Sequence, residues 1–329
     1  MTLQILLTGV TGFICSNLAV YLVQKYKNIN FIGVDKNSYC SSDKNIEEII
    51  NESNFKFINL DLVNFESVEE LFKNYSIDWV IHLASYSHVD LSFSDALLFT
   101  RNNVMGTHNL LEVAKRNSVK KFIHMSTDEV YGSKQGISTE ESVLDPTNPY
   151  SASKAAAELL AMSYYHSYKL PLIILRSNNI YGPKQFPEKV IPKFITRLLR
   201  GNQCEIQGDG LQQRSFIHID DFNRAMNKIM KHGVEGEIYN IGSLYDITIK
   251  DLAKLLCKLV NNIDVTEEMC YSFIPDRKFN DRKYDISCNK IRSLGWNERV
   301  DFICGLKDLI EWYRNNLDHW SEEQLSCIN

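Results

Sequence analysis

The sequence predicts an α/β protein, a doubly wound parallel sheet joined to a smaller, mixed C-terminal lobe. Three observations carry this expectation. Up to about residue 180, short apolar runs alternate with longer segments whose apolar residues recur every three or four positions. A small or polar residue sits at or just after the end of these runs, where a parallel sheet opens its ligand crevice. Beyond Tyr181 the pattern loosens, with Pro183, Pro187 and Pro192 in one loop and a Gly-Asp-Gly turn at 208–210. The expected division is 1–180 and 181–329, with the segment near 215–245 returning to the first part.

The chain has 329 residues, 44% of them hydrophobic, which is enough for a large core. Its net charge of -5 and the lack of a Lys/Arg block exclude a nucleic-acid backbone as partner. No apolar run approaches the roughly 18–20 residues that span a bilayer, so no membrane partner is expected. The N-terminal residues show no secretory pattern, and the expected location is the cytoplasm. Eight cysteines, Cys15, Cys40, Cys204, Cys257, Cys270, Cys288, Cys304 and Cys327, are scattered without a Cys-x-x-Cys pair. They read as reduced thiols, and no metal site is expected.

The first strand, "QILLTG", runs into Gly9 and Gly12 and then a helical segment, Ser16–Lys27. Glycines in that context let the backbone turn tightly and approach a pyrophosphate, whose charge meets the helix N-terminus. Cys15 stands where a third glycine is common; that position serves helix–strand packing, and a cysteine can fill it. The second strand, "NFIGVD", ends at Asp35, 23 residues after Gly12. A carboxylate there accepts hydrogen bonds from ribose hydroxyls and repels a 2′-phosphate, which favours NAD over NADP. "FKFINLD" and "DWVIHLA" supply the next strands, the helical segments Ser67–Asn74 and Leu98–Asn117 follow them, and "KKFIHMS" and "PLIILRS" complete the series.

After the fifth strand come Thr127, Asp128 and Glu129. Adjacent strand residues face opposite ways, so the two carboxylates converge only if the strand has already ended in a turn. Close together in a desolvated cleft they do not both ionise easily, which suits a general acid beside a general base. Next, Pro149 opens the helical segment Tyr150–Tyr168, and Tyr150 and Lys154 share one face of it. A tyrosine of pKa about 10 is a poor base. An ammonium one turn away, with a positive nicotinamide ring, is expected to lower that value.

These residues resemble the extended short-chain dehydrogenases/reductases, and within them the nucleotide-sugar 4,6-dehydratases. The stretches "TGVTGFI", "HLASYSHVD", "MSTDEVYG", "NPYSASKAAAE", "RSNNIYGPKQFPEKVIPKFI", "GDGLQQRSFIHIDD" and "FNDRKYDIS" follow the family's order over nearly the whole chain. The resemblance implies a Rossmann sheet, a substrate-binding C-terminal lobe, NAD as cofactor and a homodimer. It implies cofactor contacts from Gly9, Gly12, Phe13, Ile14, Asp35, Lys36, Asp61, Leu62, Leu83, Ala84, Ser85, Asn103, Tyr150 and Lys154. Tyr150 would take the proton of the sugar's carbon 4 hydroxyl with Thr127 beside it. Glu129 would remove the hydrogen on carbon 5, and a protonated Asp128 would release the carbon 6 hydroxyl as water. Ser87, Asn179, Lys189, Arg214, Asn280 and Arg282 would hold the substrate.

Tyr86, "YCSS" at 39–42 and Asn280 depart from the pattern usual for dTDP-glucose enzymes, and the "YC" and "FND" features look closer to UDP-glucose 4,6-dehydratases. UDP-glucose is therefore the expected substrate and dTDP-glucose the alternative. A 4-epimerase would use Tyr150 and Lys154 without Asp128 and Glu129, and an NAD-sensing binding protein would need none of the four. The apolar positions of Leu98–Ala114 and Ala155–Tyr168 suit either a dimer bundle or the sheet-facing core.

Overall fold

The structure, a computed structural model, describes residues 2–133, 136–263 and 266–326; Cys327 lies outside the described residues. Each apolar run of the first part forms a strand: β1 (Gln4–Thr8), β2 (Asn30–Asp35), β3 (Phe55–Asn59), β4 (Trp79–His82), β5 (Lys121–Met125) and β6 (Leu172–Ser177). Later come β7 (Asn179–Tyr181), β8 (Cys204–Gln207), β9 (Gln213–His218), β10 (Ile238–Ile241), β11 (Asp246–Thr248) and β12 (Tyr271–Ile274). Among the described residues a seven-stranded sheet has the order β10-β6-β5-β4-β1-β2-β3, with every neighbouring pair parallel.

The helices of this part and the next are α1 (Phe13–Lys25), α2 (Phe65–Asn74), α3 (Val89–Ser94), α4 (Ala96–Phe99), α5 (Gly106–Arg116), α6 (Pro149–Tyr168), α7 (Val190–Leu199) and α8 (Ile219–His232); α1 and α8 cover one face of the sheet and α2, α5 and α6 the other. The period of two is visible in β1. Ile5 and Leu7 join one core with Leu18 and Leu22 of α1 and Phe222 and Met226 of α8. Leu6 joins the opposite core with Val68 of α2, Leu110 of α5 and Ala161 of α6. A strand buried on both faces must be apolar throughout, which is why these runs read so clearly.

The helix expected at Leu98–Asn117 is less regular. It consists of α4, a π-helical stretch Thr100–Met105, and α5. The apolar stripes divide: Leu110, Leu111, Ala161 and Tyr164 face the sheet, whereas Leu97, Met105, Leu159 and Tyr168 are exposed.

The remaining strands form small sheets, β11-β9-β7 and β12-β8, over a third core that includes Phe194, Phe216, Leu252 and Leu306. α8 and β10 pack back on the large sheet, so the chain crosses between the two regions more than once. Among the described residues, no helix is long and apolar enough to cross a membrane, and no group of three His, Cys, Asp or Glu side chains could hold a metal ion. Cys15, Cys40, Cys204, Cys257, Cys270, Cys288 and Cys304 carry no disulfide.

Candidate active site

A cavity of about 750 Å³ opens beyond the carboxyl ends of the large sheet and extends to the smaller sheets. At one end lie Gly9, Gly12, Phe13 and Ile14, followed by Asp35, Lys36, Asp61, Leu62, Leu83, Ala84 and Ser85. Gly9 has φ +80°, and a Cβ there would come within 2.9 Å of the Ala84 Cα. Only glycine fits this left-handed, close-packed position without strain. The chain then enters α1, whose Gly12 N-cap has no side-chain cap and whose first turn carries no acid, leaving its N–H groups to a ligand anion.

Asp35 is fixed at the end of β2: its Oδ2 accepts from the Thr11 amide at 3.1 Å and its Oδ1 from the Asn37 amide at 3.2 Å. Lys36 is drawn toward Asp61, 3.5 Å away, and lies over the Tyr86 ring. Cys15 is 2% exposed within the core, and burial together with Asp35 pushes its thiol well above the ordinary range. It is a packing residue, as its place in α1 predicts. The cavity, the glycine cradle and the carboxylate at the β2 end fit a dinucleotide.

Mid-cavity stand Thr127, Glu129, Tyr150 and Lys154. β5 ends at Met125, and a 3₁₀ turn, Asp128–Tyr131, follows it with Thr127 as its N-cap. That turn brings both carboxylates to one place. Asn148 caps α6, with Pro149 in the first turn, and its Nδ2 also lies 3.3 Å from Glu129 Oε2. Asp128 does not line the cavity: its Oδ2 accepts from Asn178 Nδ2 at 2.6 Å, and its Oδ1 from the Thr127 hydroxyl at 3.2 Å. Burial and the Glu129 charge push Asp128 up to about 7, and burial raises Glu129 as well. The pair therefore resists double ionisation.

Lys154 and Tyr150 stand on the same face of α6 at the cavity. The Lys154 Nζ donates to the Met125 carbonyl at 2.6 Å, and burial brings it down to about 8. Tyr150 is pushed up by burial and by Glu129, and a hydrogen bond with Thr127 opposes this. Helical spacing puts the two side chains on one face, but the lysine's partner comes from β5, which spacing cannot show.

At the far end Ser87, Asn179, Lys189, Arg214 and Asn280 line the cavity. Arg214 is buried over the Tyr284 ring. Two more of the expected residues, Arg282 and Asn103, do not line the cavity. Arg282 is turned outward, its side chain 65% exposed and paired with Asp209 at 2.9 Å. In its place Arg277 lines the cavity; Arg277 and Arg214 both donate to Asn280 Oδ1, at 2.7 and 3.3 Å. Asn103 stands behind the wall, where it holds the Tyr86 backbone amide at 2.8 Å and carbonyl at 2.9 Å, with Ser153 Oγ at 2.9 Å. Sequence reasoning also missed Asn148 and Asn178, whose only signal was nearness to Tyr150 and Asn179.

The chain matches the family model described as GDP-mannose 4,6 dehydratase over residues 6–309. It is 45% identical over 324 residues to a dTDP-D-glucose 4,6-dehydratase of Bos taurus, covering 98% of this chain and 91% of that protein. It is 42% identical to a trifunctional UDP-glucose 4,6-dehydratase/3,5-epimerase/reductase of Arabidopsis thaliana, covering 97% of this chain and 48% of that protein. Among solved structures it superimposes on DesIV, a dTDP-glucose 4,6-dehydratase from Streptomyces venezuelae described with NAD and TYD bound. The TM-score is 0.91 at 35% identity, over 97% of this chain and 99% of that one.

Proposed function

The chain belongs to the nucleotide-sugar 4,6-dehydratase family of the extended short-chain dehydrogenases/reductases, and from that premise we propose that it converts UDP-glucose into its 4-keto-6-deoxy sugar. The observation that carries the reading is the turn bearing Asp128 and Glu129 beside Tyr150 and Lys154, because a 4-epimerase has no use for the two carboxylates. Gly9, Gly12 and Asp35 would hold NAD, which when bound supplies a hydride acceptor that is restored within each turnover.

In this reading Tyr150 takes the proton of the carbon 4 hydroxyl, and Thr127 orients that hydroxyl. Lys154 anchors the helix side of the site against Met125. The new 4-ketone acidifies the hydrogen on carbon 5, which Glu129 removes. Asp128 keeps a proton near neutral pH and delivers it to the departing carbon 6 hydroxyl, turning from Asn178 toward the cavity. Arg214 and Arg277, bridged by Asn280, face the diphosphate as planar donors. The cysteines, free of disulfides among the described residues, favour a cytoplasmic enzyme. The exposed Leu97, Met105, Leu159 and Tyr168 favour a homodimer.

The choice of UDP-glucose rests on Tyr39-Cys40 and Asn280. dTDP-glucose is the second reading, favoured by the higher identity of relatives named for it. One methyl separates the bases, worth about 1–3 kcal/mol in a pocket. Comparing kcat/KM for the two sugars decides: a ratio above one for UDP-glucose upholds the first reading, and a ratio below one replaces it with the second.

A further inference from the structure

The end of β6 grips the turn of carboxylates at both ends. Asn178 donates to Asp128, the first residue of the turn, at 2.6 Å, and Arg176 Nη1 donates to the hydroxyl of Tyr131, the last, at 2.7 Å. Arg176 and Asn178 are two residues apart, the spacing that places extended residues on one face. Arg176 is also forked onto Glu158 of α6: its Nε lies 3.1 and 3.2 Å from the two carboxylate oxygens, and its Nη2 donates to Oε1. Glu158 stands one helical turn beyond Lys154 and two beyond Tyr150.

Arg176, Glu158 and Tyr131 are 3%, 1% and 1% exposed, and none of them lines the cavity. The guanidinium stacks on the Tyr131 ring, and the Tyr131 hydroxyl donates to Asn240 of β10 at 2.8 Å. A buried ion pair recovers little more than its desolvation cost, so stability alone does not account for this one. What the arrangement does provide is a fixed distance. It links the turn that carries Asp128 and Glu129 to the helix that carries Tyr150 and Lys154.

We propose that Arg176, Glu158 and Tyr131 are positioning residues that, with Asn178, form a strut setting the two carboxylates against Tyr150 and Lys154. This rests on reading the turn as the acid–base pair. The groups facing Asp128 are Glu129 on the turn, Tyr150 from α6 and Arg214 from β9, with Asn178 and Thr127 as its hydrogen-bond donors. Asn178 favours the ionised carboxylate, so its removal moves the Asp128 titration upward.

The test uses two variants of the full chain. In Tyr131→Phe one oxygen is lost; the expected result is a fall in kcat of about tenfold on UDP-glucose or dTDP-glucose, with KM within about twofold and bound NAD unchanged. In Asn178→Ala, ¹³C-carboxyl NMR of Asp128 shows a midpoint above that of the wild type, a readout that needs no turnover. The Asn178 titration answers for the turn even if Tyr131→Phe does not fold or neither sugar is a substrate. A Tyr131→Phe protein that melts earlier but keeps wild-type kcat overturns the strut. So does an Asp128 midpoint that does not move in Asn178→Ala.

Discussion

At the residue scale, Gly9 and Glu129 are the sharpest test points. A methyl at Gly9 meets the Ala84 backbone from a φ of +80°, so Gly9→Ala should lower Tm and leave the purified protein without bound NAD, measured by absorbance after denaturation. Glu129→Gln should reduce keto-sugar formation by about 10²–10⁴-fold while oxidation at carbon 4 persists, seen as cofactor absorbance near 340 nm. Asp128 adds a pH signature. Its folded carboxyl, raised to about 7, keeps a proton that the unfolded chain has already lost, so the native state is favoured at low pH and loses that advantage as pH rises through about 7. The Tm of Asp128→Asn should therefore gain on wild type between about pH 5 and pH 8, followed by calorimetry. Cys15 was legible as a packing residue because its position in the helix decided the matter. Asp128's retreat behind Thr127 and Asn178 was not, since it depends on which way a side chain turns after a strand has ended.

At the element scale, α6 carries the site because its start is fixed. Asn148 caps it through a reciprocal pair with Ser151, and the same side chain touches Glu129. Asn148→Ala should cost about 1 kcal/mol of stability in urea unfolding and also slow turnover, the second effect arising from Glu129 alone. Strands and helices of this kind announce themselves through period and caps. The loop from Asp276 to Arg282 has no period, and there the sequence pointed to Arg282 where the structure places Arg277. Substituting each decides between them: Arg277→Ala should raise KM for the nucleotide sugar about tenfold or more, and Arg282→Ala should leave it within about twofold.

At the scale of the whole molecule, the parallel sheet was readable because both of its faces are buried, forcing continuous apolar runs from β1 to β6. The return of α8 and β10 to that sheet was readable only coarsely, because pairing between distant strands leaves no local trace. The same holds for the cavity, which draws Gly9, Glu129 and Arg277 from segments more than a hundred residues apart into one space. In the proposed reaction, hydride transfer at carbon 4 is joined to loss of water at carbons 5 and 6. The most direct measurement is incubation of the NAD-loaded protein with UDP-glucose or dTDP-glucose in deuterated water, with no added reductant, and identification of the product by mass spectrometry and NMR. A 4-keto-6-deoxy sugar carrying deuterium at carbon 5 is the predicted result. A carbon 4 epimer that keeps its carbon 6 hydroxyl and its carbon 5 hydrogen would contradict it.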